Sequence, residues 1–253
     1  MEDWEYKYQR VSEELAALKK KHVDFLEAAS HDLHAPLRKI SVFADRITAK
    51  NADDPVAMQY INRMKNSISE MQALIDNLSG LAAVNSETIR YAGCNLNNIV
   101  TKIFFELQEE IEEKKIVTRS AILPEVNGDA IQYKQLFINI IENAVKYSKK
   151  NGIPEIDISV YPVEQEEMTR HGLKKHHPYH KIVVTDNGIG FPLEYAEKIF
   201  EPFVRLHAKS DYPGTGLGLS IAKKIVMNHN GIIYAEGKEQ IGAQFTLILP
   251  SNP

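Results

Sequence analysis

The chain has a single cysteine, Cys94, in 253 residues. That excludes an internal disulfide framework and fits a reducing compartment. No apolar run approaches the ~20 residues needed to cross a bilayer, so no direct membrane insertion by this segment is expected. The N-terminal MEDWEYKYQR is too polar for a signal peptide. Neither sign of charge dominates: 30 Lys and Arg against 34 Asp and Glu leave a net charge of −4, which gives no argument for nucleic-acid binding. There are no internal repeats. With 43% hydrophobic and 25% charged residues, the composition is that of an ordinary globular protein, long enough for one large or two modest domains. The expectation is a cytoplasmic segment. Because it starts abruptly in a helical pattern, it reads as part of something longer, with a sensor domain upstream and any membrane anchor in absent N-terminal segments.

Residues 5–49 carry a helical pattern. Val11, Leu15, Leu18, His22, Phe25 and Ala29 recur at alternating spacings of four and three. The seam continues through Leu26, Leu33, Leu37, Ile40, Ala44 and Ile47. Asp54 can cap a second helix with Pro55 at its first position. Its stripe runs Val56, Tyr60, Met64, Ile68, Met71, Ile75 and Leu78. Two antiparallel helices cannot shield both stripes, so a homodimer closing into a four-helix bundle is expected, ahead of a hairpin docked on its own chain. Polar residues and Gly93 mark a linker near Ser86–Asn95. Beyond it, helices at 96–113, 129–149 and 217–229 alternate with strands at 155–161, 181–186, 231–236 and 243–250. The expected fold is multidomain: residues 1–88 a coiled-coil entry and helical hairpin, residues 89–253 an α/β sandwich whose sheet is covered on one face by helices. Residues 162–180 read as a polar hairpin loop.

Three blocks carry chemistry: NIIENAVKYS (139–148), DNGIGF (186–191) and GTGLGLS (214–220). Asn139 and Asn143 share one helix face, and Mg²⁺ takes such neutral oxygen ligands beside phosphates. Lys146 can neutralise phosphate and Tyr147 can stack on a base. Asp186 ends a strand where its carboxylate can accept from an exocyclic amine such as adenine N6, and Gly188 and Gly190 permit close backbone approach. Gly214, Thr215, Gly216, Leu217 and Gly218 supply backbone N–H groups at a helix start, a phosphate cradle. That spacing is neither a dinucleotide fingerprint nor a Walker loop. Between the last two blocks, 200–213 reads as a mobile lid that brings Arg205 and Lys209 toward the phosphates. Each block alone matches an ordinary surface helix or turn. The ordered set does not.

The chain resembles the sensor histidine kinases. The resemblance rests on SHDLHAPLRKI (30–40) as the phosphoacceptor box, QLFINIIENAVKYS as the N box, DNGIGF and GTGLGLS as glycine boxes, FEPF as the F box, and GAQFTLILP as the closing strand. It covers about residues 20 to 250. It implies a dimerisation and histidine-phosphotransfer domain followed by a Bergerat-type ATP-binding domain of the kind shared with gyrase, Hsp90 and MutL. It also implies ATP and Mg²⁺, with Asn143 assisted by Asn139 on the metal, Asp186 on adenine, and a receiver domain as partner.

His31 lies roughly opposite the Leu26–Leu33–Leu37–Ile40 stripe, which exposes it. Asp32 can hold one ring nitrogen and leave the other free to attack a γ-phosphate. Pro36 cannot donate to the carbonyl of Asp32, so the helix should loosen there. In the resembled family the residue four after the histidine is often Thr or Asn and is linked to dephosphorylating the partner. Here it is Ala35, which implies weak phosphatase activity, and His34 is a poor substitute. The ATP hydrolases of the wider group place a glutamate where Asn139 stands. Asparagine is no general base, and Glu142 lies about 60° away around the helix. That favours an autokinase over an ATP-driven hydrolase, and the complete set of polar residues disfavours a silent scaffold. His171, His176, His177 and His180 crowd the 162–180 segment without regular metal-ligand spacing. His22, His207 and His229 have no partners assignable from sequence.

Overall fold

The computed structural model describes residues 2–50, 54–85, 91–149, 151–174, 178–207, 212 and 214–251. In the two long helices many side chains fall outside that description, among them Leu15, Leu18, His22, Phe25, Leu26, His31 and Asp32. The chain divides into two compact units, Met1–Glu87 and Thr88–Pro253.

The first unit is a hairpin of α1 (Glu2–Lys50) and α2 (Pro55–Asn85). Asp54 caps α2 as expected: its Oδ1 accepts from the Val56 and Ala57 N–H groups at 2.9 and 3.1 Å. A Lys65–Asp45 ion pair at 2.7 Å and a contact of His34 Nε2 with Asp76 Oδ1 at 3.2 Å show that the helices run antiparallel. The apolar seam of α1 splits into two lines. Leu37 and Ala44, in register with Ser30 one heptad earlier, are buried, as are Ile61, Ile68 and Ile75 of α2. Leu33, Ile40 and Ile47 stay 42–49% exposed, and Val56, Tyr60, Met64 and Met71 on α2 are exposed by 42–64%. One heptad position thus closes the hairpin and the other is left without cover. The helix runs unbroken through Pro36. With Pro36 exposed, the missing amide removes one backbone bond without forcing a ring into the packed face.

The second unit places β1 (Ala92–Asn95) against β3 (Glu125–Gly128) in a small antiparallel ribbon. Its main sheet has the order β2 (Val117–Ser120), β4 (Glu155–Tyr161), β5 (Tyr179–Asp186), β7 (Gly242–Pro250), β6 (Ile232–Lys238). Only the β2–β4 pair is parallel. Register puts Ile156, Ile158, Ile182, Val184, Phe245, Leu247, Ile233 and Ala235 on one face, and all are buried. Three helices supply the other half of this core: α3 (Leu96–Glu106), α5 (Ala130–Lys146) and α7 (Gly218–Asn228), through Leu96, Val100, Ile103, Leu136, Phe137, Ile140, Ile221 and Ile225. This is the expected sandwich.

Four local expectations are corrected. The linker does not extend to Asn95, because Ala92–Asn95 pairs as β1 and Asn95 caps α3 by accepting from the Asn98 N–H at 3.1 Å. The helix at 96–113 breaks at Leu107 into α3 and α4 (Gln108–Glu113). The 162–180 segment is not all loop. It contains α6 (Gln165–Arg170), and β5 begins at Tyr179. The fourth is the set of three four-residue strands, β1, β2 and β3, too short to show alternation. The reason α6 forms is tertiary. Glu167 is buried, pairs with Lys181 Nζ at 2.9 Å and accepts from the Tyr234 hydroxyl, so the helix is anchored to the sheet.

Candidate active site

The backbone of α5 carries most of the site. Its start is fixed twice. Asp129 Oδ1 accepts from the Ile131 and Gln132 N–H groups, and the Asp129 N–H donates to Nε2 of fully buried His229 at 3.0 Å. His229 Nδ1 donates to the Ile225 carbonyl of α7 at 2.8 Å, so one neutral imidazole ties the two helices together. Burial holds its pKa below the usual histidine value.

The glycine block lies along one face of α5. A Cβ on Gly214 would sit 2.6 Å from Lys146 Nζ, and one on Gly218 would sit 3.3 Å from Asn139 Oδ1. Residues 214 to 218 therefore run antiparallel to the helix stretch from 146 back to 139. Gly214 and Gly216 adopt φ of +151° and +77°, conformations that exclude side chains and leave backbone groups to line the cradle. Thr215 Oγ1 accepts from the Leu217 N–H at 3.2 Å, and Leu217 is buried at the start of α7.

The strand end is clasped to the other end of α5. The Ile189 N–H donates to the Tyr147 carbonyl at 3.0 Å, and a Cβ on Gly188 would come within 2.5 Å of that oxygen. Asp186 is 8% exposed. Its Oδ1 accepts from the Gly188 N–H at 2.8 Å and the Ala243 N–H at 3.3 Å. Burial outweighs these bonds and pushes its carboxyl up to about 6. Gly190 turns at φ +63° against the Lys238 carbonyl.

Lys146 Nζ stands 4.5 Å over the Tyr147 ring. Its pKa is pushed down to about 8, by burial first and then by the Arg205 guanidinium. Arg205 itself donates to the Tyr212 carbonyl at 2.7 Å. Three rings, Tyr147, His207 and Tyr212, lie with centroids 5.0–5.9 Å apart. Phe203 holds φ +64° and donates its N–H to the Gly216 carbonyl at 3.0 Å, which joins the F-box segment to the glycine block. Lys209 lies outside the described residues.

Asn139 is 6% exposed. Its Oδ1 accepts from Gln135 Nε2 at 3.2 Å, while its Nδ2 has no partner among the described residues. Asn143 is half-buried one turn on. The donor set fits a polyphosphate with a divalent cation. It offers two amides, one with an orphaned buried atom, two cations held close enough to depress one of them, and a glycine cradle that a Cβ would fill. His31 belongs to α1, but its side chain and that of Asp32 lie outside the description. Among the described residues there is no cluster of metal-ligating acids, cysteines or histidines. His171 stacks on Tyr234 at 5.3 Å and His180 Nε2 meets Ser251 Oγ at 2.9 Å, while His176 and His177 lie outside it.

Sequence reasoning missed Gln135, His207, Tyr212 and Gly242. For Gln135 a signal existed, since it stands one helical turn before Asn139. His207 and Tyr212 are brought to the site by a loop whose path no periodicity reveals, and Gly242 by the strand pairing of β7.

Residues 128–253 match the family described as histidine kinase-, DNA gyrase B-, and HSP90-like ATPase. Residues 21–87 match the His Kinase A (phospho-acceptor) domain. The chain is 31% identical over 250 residues to phytochrome-like protein Cph1 of Synechocystis sp., covering 95% of this chain and 32% of that protein. It is 28% identical over 235 residues to sensor protein kinase WalK of Staphylococcus aureus, covering 90% of this chain and 53% of that protein. The chain spans about a third of the length of the phytochrome relatives it matches. Among solved structures it resembles full-length ShkA in complex with AMPPNP, with a TM-score of 0.66 at 20% identity over 90% of this chain and 45% of that one. It also resembles histidine kinase ThkA in complex with response regulator protein TrrA, with a TM-score of 0.59 at 21% identity over 99% of this chain and 67% of that one. At such identities the two structures speak to fold alone. On its two matched modules, in this order, the chain belongs to the sensor histidine kinases.

Proposed function

We propose that this protein is an ATP-dependent autokinase that phosphorylates His31 and passes the phosphoryl group to an aspartate of a response-regulator receiver domain. The observation that carries this reading is the convergence of three separate sequence blocks along one face of α5, with Asp186 at one end and Gly218 at the other. Residues 1–88 form the dimerising phosphotransfer domain and 89–253 the ATP-binding domain. The uncovered line of Leu33, Ile40, Ile47, Tyr60 and Met64 supports a homodimer, since a second hairpin would bury it.

Asp186 accepts from the adenine amine, Gly188 and Gly190 let its turn pack against the Tyr147 and Lys238 carbonyls, and Tyr147 flanks the base. Lys146 and Arg205 balance phosphate charge over the cradle of Gly214, Thr215, Gly216, Leu217 and Gly218. Asn143, with Asn139 assisting, would hold Mg²⁺, which supplies further neutralisation of the triphosphate. A nitrogen of His31 attacks the γ-phosphorus. The N–P bond forms as the bond to the bridging oxygen breaks, ADP leaves, and Asp32 holds the proton of the other ring nitrogen. Asn139, with no carboxylate at its position, gives water no base, which favours this reading over a hydrolase.

Incubation with γ-labelled ATP and Mg²⁺ tests it. Acid-labile, base-stable label is expected on the wild type and none above background on His31→Gln. Phosphate release without labelled protein would support the hydrolase instead. With Ala35 in place of a water-holding side chain, dephosphorylation of a phosphorylated receiver is expected to be slow, and rapid clearance would refute that part.

ATP affinity should pass through a maximum between about pH 6 and about pH 8. Asp186 must be ionised to accept the adenine amine, so affinity falls as it protonates on the acid side. Lys146 must be charged to meet phosphate, so affinity falls as it loses its proton on the alkaline side. Calorimetric titrations of wild type and Lys146→Arg check the assignment. Guanidinium does not titrate in this range, so the alkaline fall should vanish in the variant. An unchanged alkaline limb would contradict it.

A further inference from the structure

Asp186 sits inside a ring of three chain segments that hydrogen-bond to one another in turn. In the turn after Asp186, the Ile189 N–H donates to the Tyr147 carbonyl at the end of α5 at 3.0 Å. In the turn between β6 and β7, the Gln240 N–H donates to the Ile189 carbonyl at 2.7 Å. Lys149 Nζ closes the circuit by donating to the Ile241 carbonyl at 3.4 Å. The first two links are backbone to backbone. The third is one half-buried ammonium, and it alone of the three carries charge.

That charge acts at the end of the site where Asp186 stands. Ile241 precedes Gly242, which is pressed against the Asp186 carbonyl, and Ala243, whose N–H donates to Asp186 Oδ1. The other charges around the strand end point elsewhere. Asp186 pairs with Ile156 and shares its buried face. Glu155 and Asp157 of β4 alternate with Ile156, and Glu236 of β6 follows buried Ala235, so with Lys238 they line a groove on the opposite face of the sheet. Glu155 is also paired with Arg119 at 3.0 Å, and Glu239 is exposed in the turn. Lys146 stands over the Tyr147 ring against Gly214, and Arg205 is turned to the Tyr212 carbonyl. Burial is the largest influence on Asp186 and pushes its carboxyl up. The two backbone N–H groups, and then the Lys149 ammonium, hold it down.

We propose that Lys149 is a positioning residue for base recognition: it ties the end of α5 to the β6–β7 turn and serves as the counter-charge that keeps the Asp186 carboxylate ready to accept the adenine amine. This rests on the nucleotide site proposed above and extends it to a residue just outside the three sequence blocks. Methionine at 149 keeps the apolar stem and removes the charge. Arginine keeps the charge.

Two measurements test it. Carbon-13 NMR of labelled aspartate in the nucleotide-free chain follows the titration of Asp186, identified by the signal missing from Asp186→Asn. Calorimetry with Mg²⁺ follows binding of an ATP analogue from about pH 5 to about pH 8. In Lys149→Met the Asp186 midpoint is expected to move to higher pH. The analogue should then bind roughly threefold more weakly at about pH 5 and stay within about 1.5-fold of wild type at about pH 8, where Asp186 is ionised in both. Lys149→Arg should match the wild type, and Lys238→Met, on the other face, should leave the midpoint in place. A role confined to closing the ring would lower affinity equally at every pH. That result, or an unmoved midpoint in Lys149→Met, overturns the counter-charge role. A midpoint that moves as expected in a protein whose wild type binds no nucleotide overturns the ATP reading and the base-recognition role with it, a result separate from the others.

Discussion

Replacing Asp186 by asparagine is expected to weaken ATP binding by about a hundredfold and, at neutral pH, to raise the melting temperature of the nucleotide-free protein. The two effects have one origin. The carboxylate is buried and receives two backbone N–H bonds on Oδ1. Those bonds do not offset its desolvation, and its pKa stands at about 6 against an ordinary 3.8. Asparagine keeps Oδ1 as acceptor and places N–H₂ where the second oxygen was, facing the adenine amine donor to donor. Loss of a charge-assisted hydrogen bond costs about 1.5–3 kcal/mol, which at the upper end is roughly a hundredfold. For stability, the folded pKa exceeds the unfolded one. The charged form therefore destabilises the fold as pH rises from about 4 through about 6, and fully above that. Two units correspond to about 3 kcal/mol, reduced to about 1–2 by the weaker hydrogen bonds of a neutral oxygen. Thermal scans should show the variant melting higher at pH 8 and the difference closing below about pH 4. A variant that melts lower at alkaline pH would refute the account.

Gly242→Ala should be among the most destabilising single substitutions in the second unit, costing about 3 kcal/mol or more. Gly242 holds φ +148°, and an added Cβ would lie 1.9 Å from the Asp186 carbonyl oxygen and 2.9 Å from Asn187 Cα. Both obstacles are backbone, so no side chain can yield. The displacement also reaches the site, since the neighbouring Ala243 N–H donates to Asp186. ATP affinity should fall together with stability, measurable as a lower urea midpoint and a weaker calorimetric signal. Gly93→Ala is the matched control. Nothing lies within 4 Å of its Cβ, and the change should stay within about 0.5 kcal/mol. Equal behaviour of the two variants would show that the crowding around Gly242 is not what its geometry indicates.

The elements that sequence foretold best are those with long periods. The two hairpin helices, α5 and the four main strands follow from repeated apolar spacing, which many residues report together. What failed was short or dependent on a distant partner. Four residues at β1, β2 or β3 carry too little alternation to be told from loop. The α6 helix is held by Glu167 with Lys181 and Tyr234, two residues of other strands. The seam of α1 was legible as a whole. Its division into buried Leu37 and Ala44 and exposed Leu33, Ile40 and Ile47 was not, because only the packing of α2 chooses between two heptad positions.

The ordered blocks by themselves determined the kind of site. Residue types limit chemistry: two neutral amides, a lysine, a strand-end carboxylate and glycine turns suit a metal–phosphate ligand, and an asparagine at 139 leaves water without a base. Tertiary structure decided how those groups stand. It laid the glycine block antiparallel to α5, with the turn after Asp186 clasped at the Tyr147 end of that stretch. It buried Asp186 and Lys146 until their pKa values moved toward each other. It also put Gln135 against the Asn139 amide. Side-chain identity is local, but desolvation and amide orientation are set by neighbours that only the folded chain brings together.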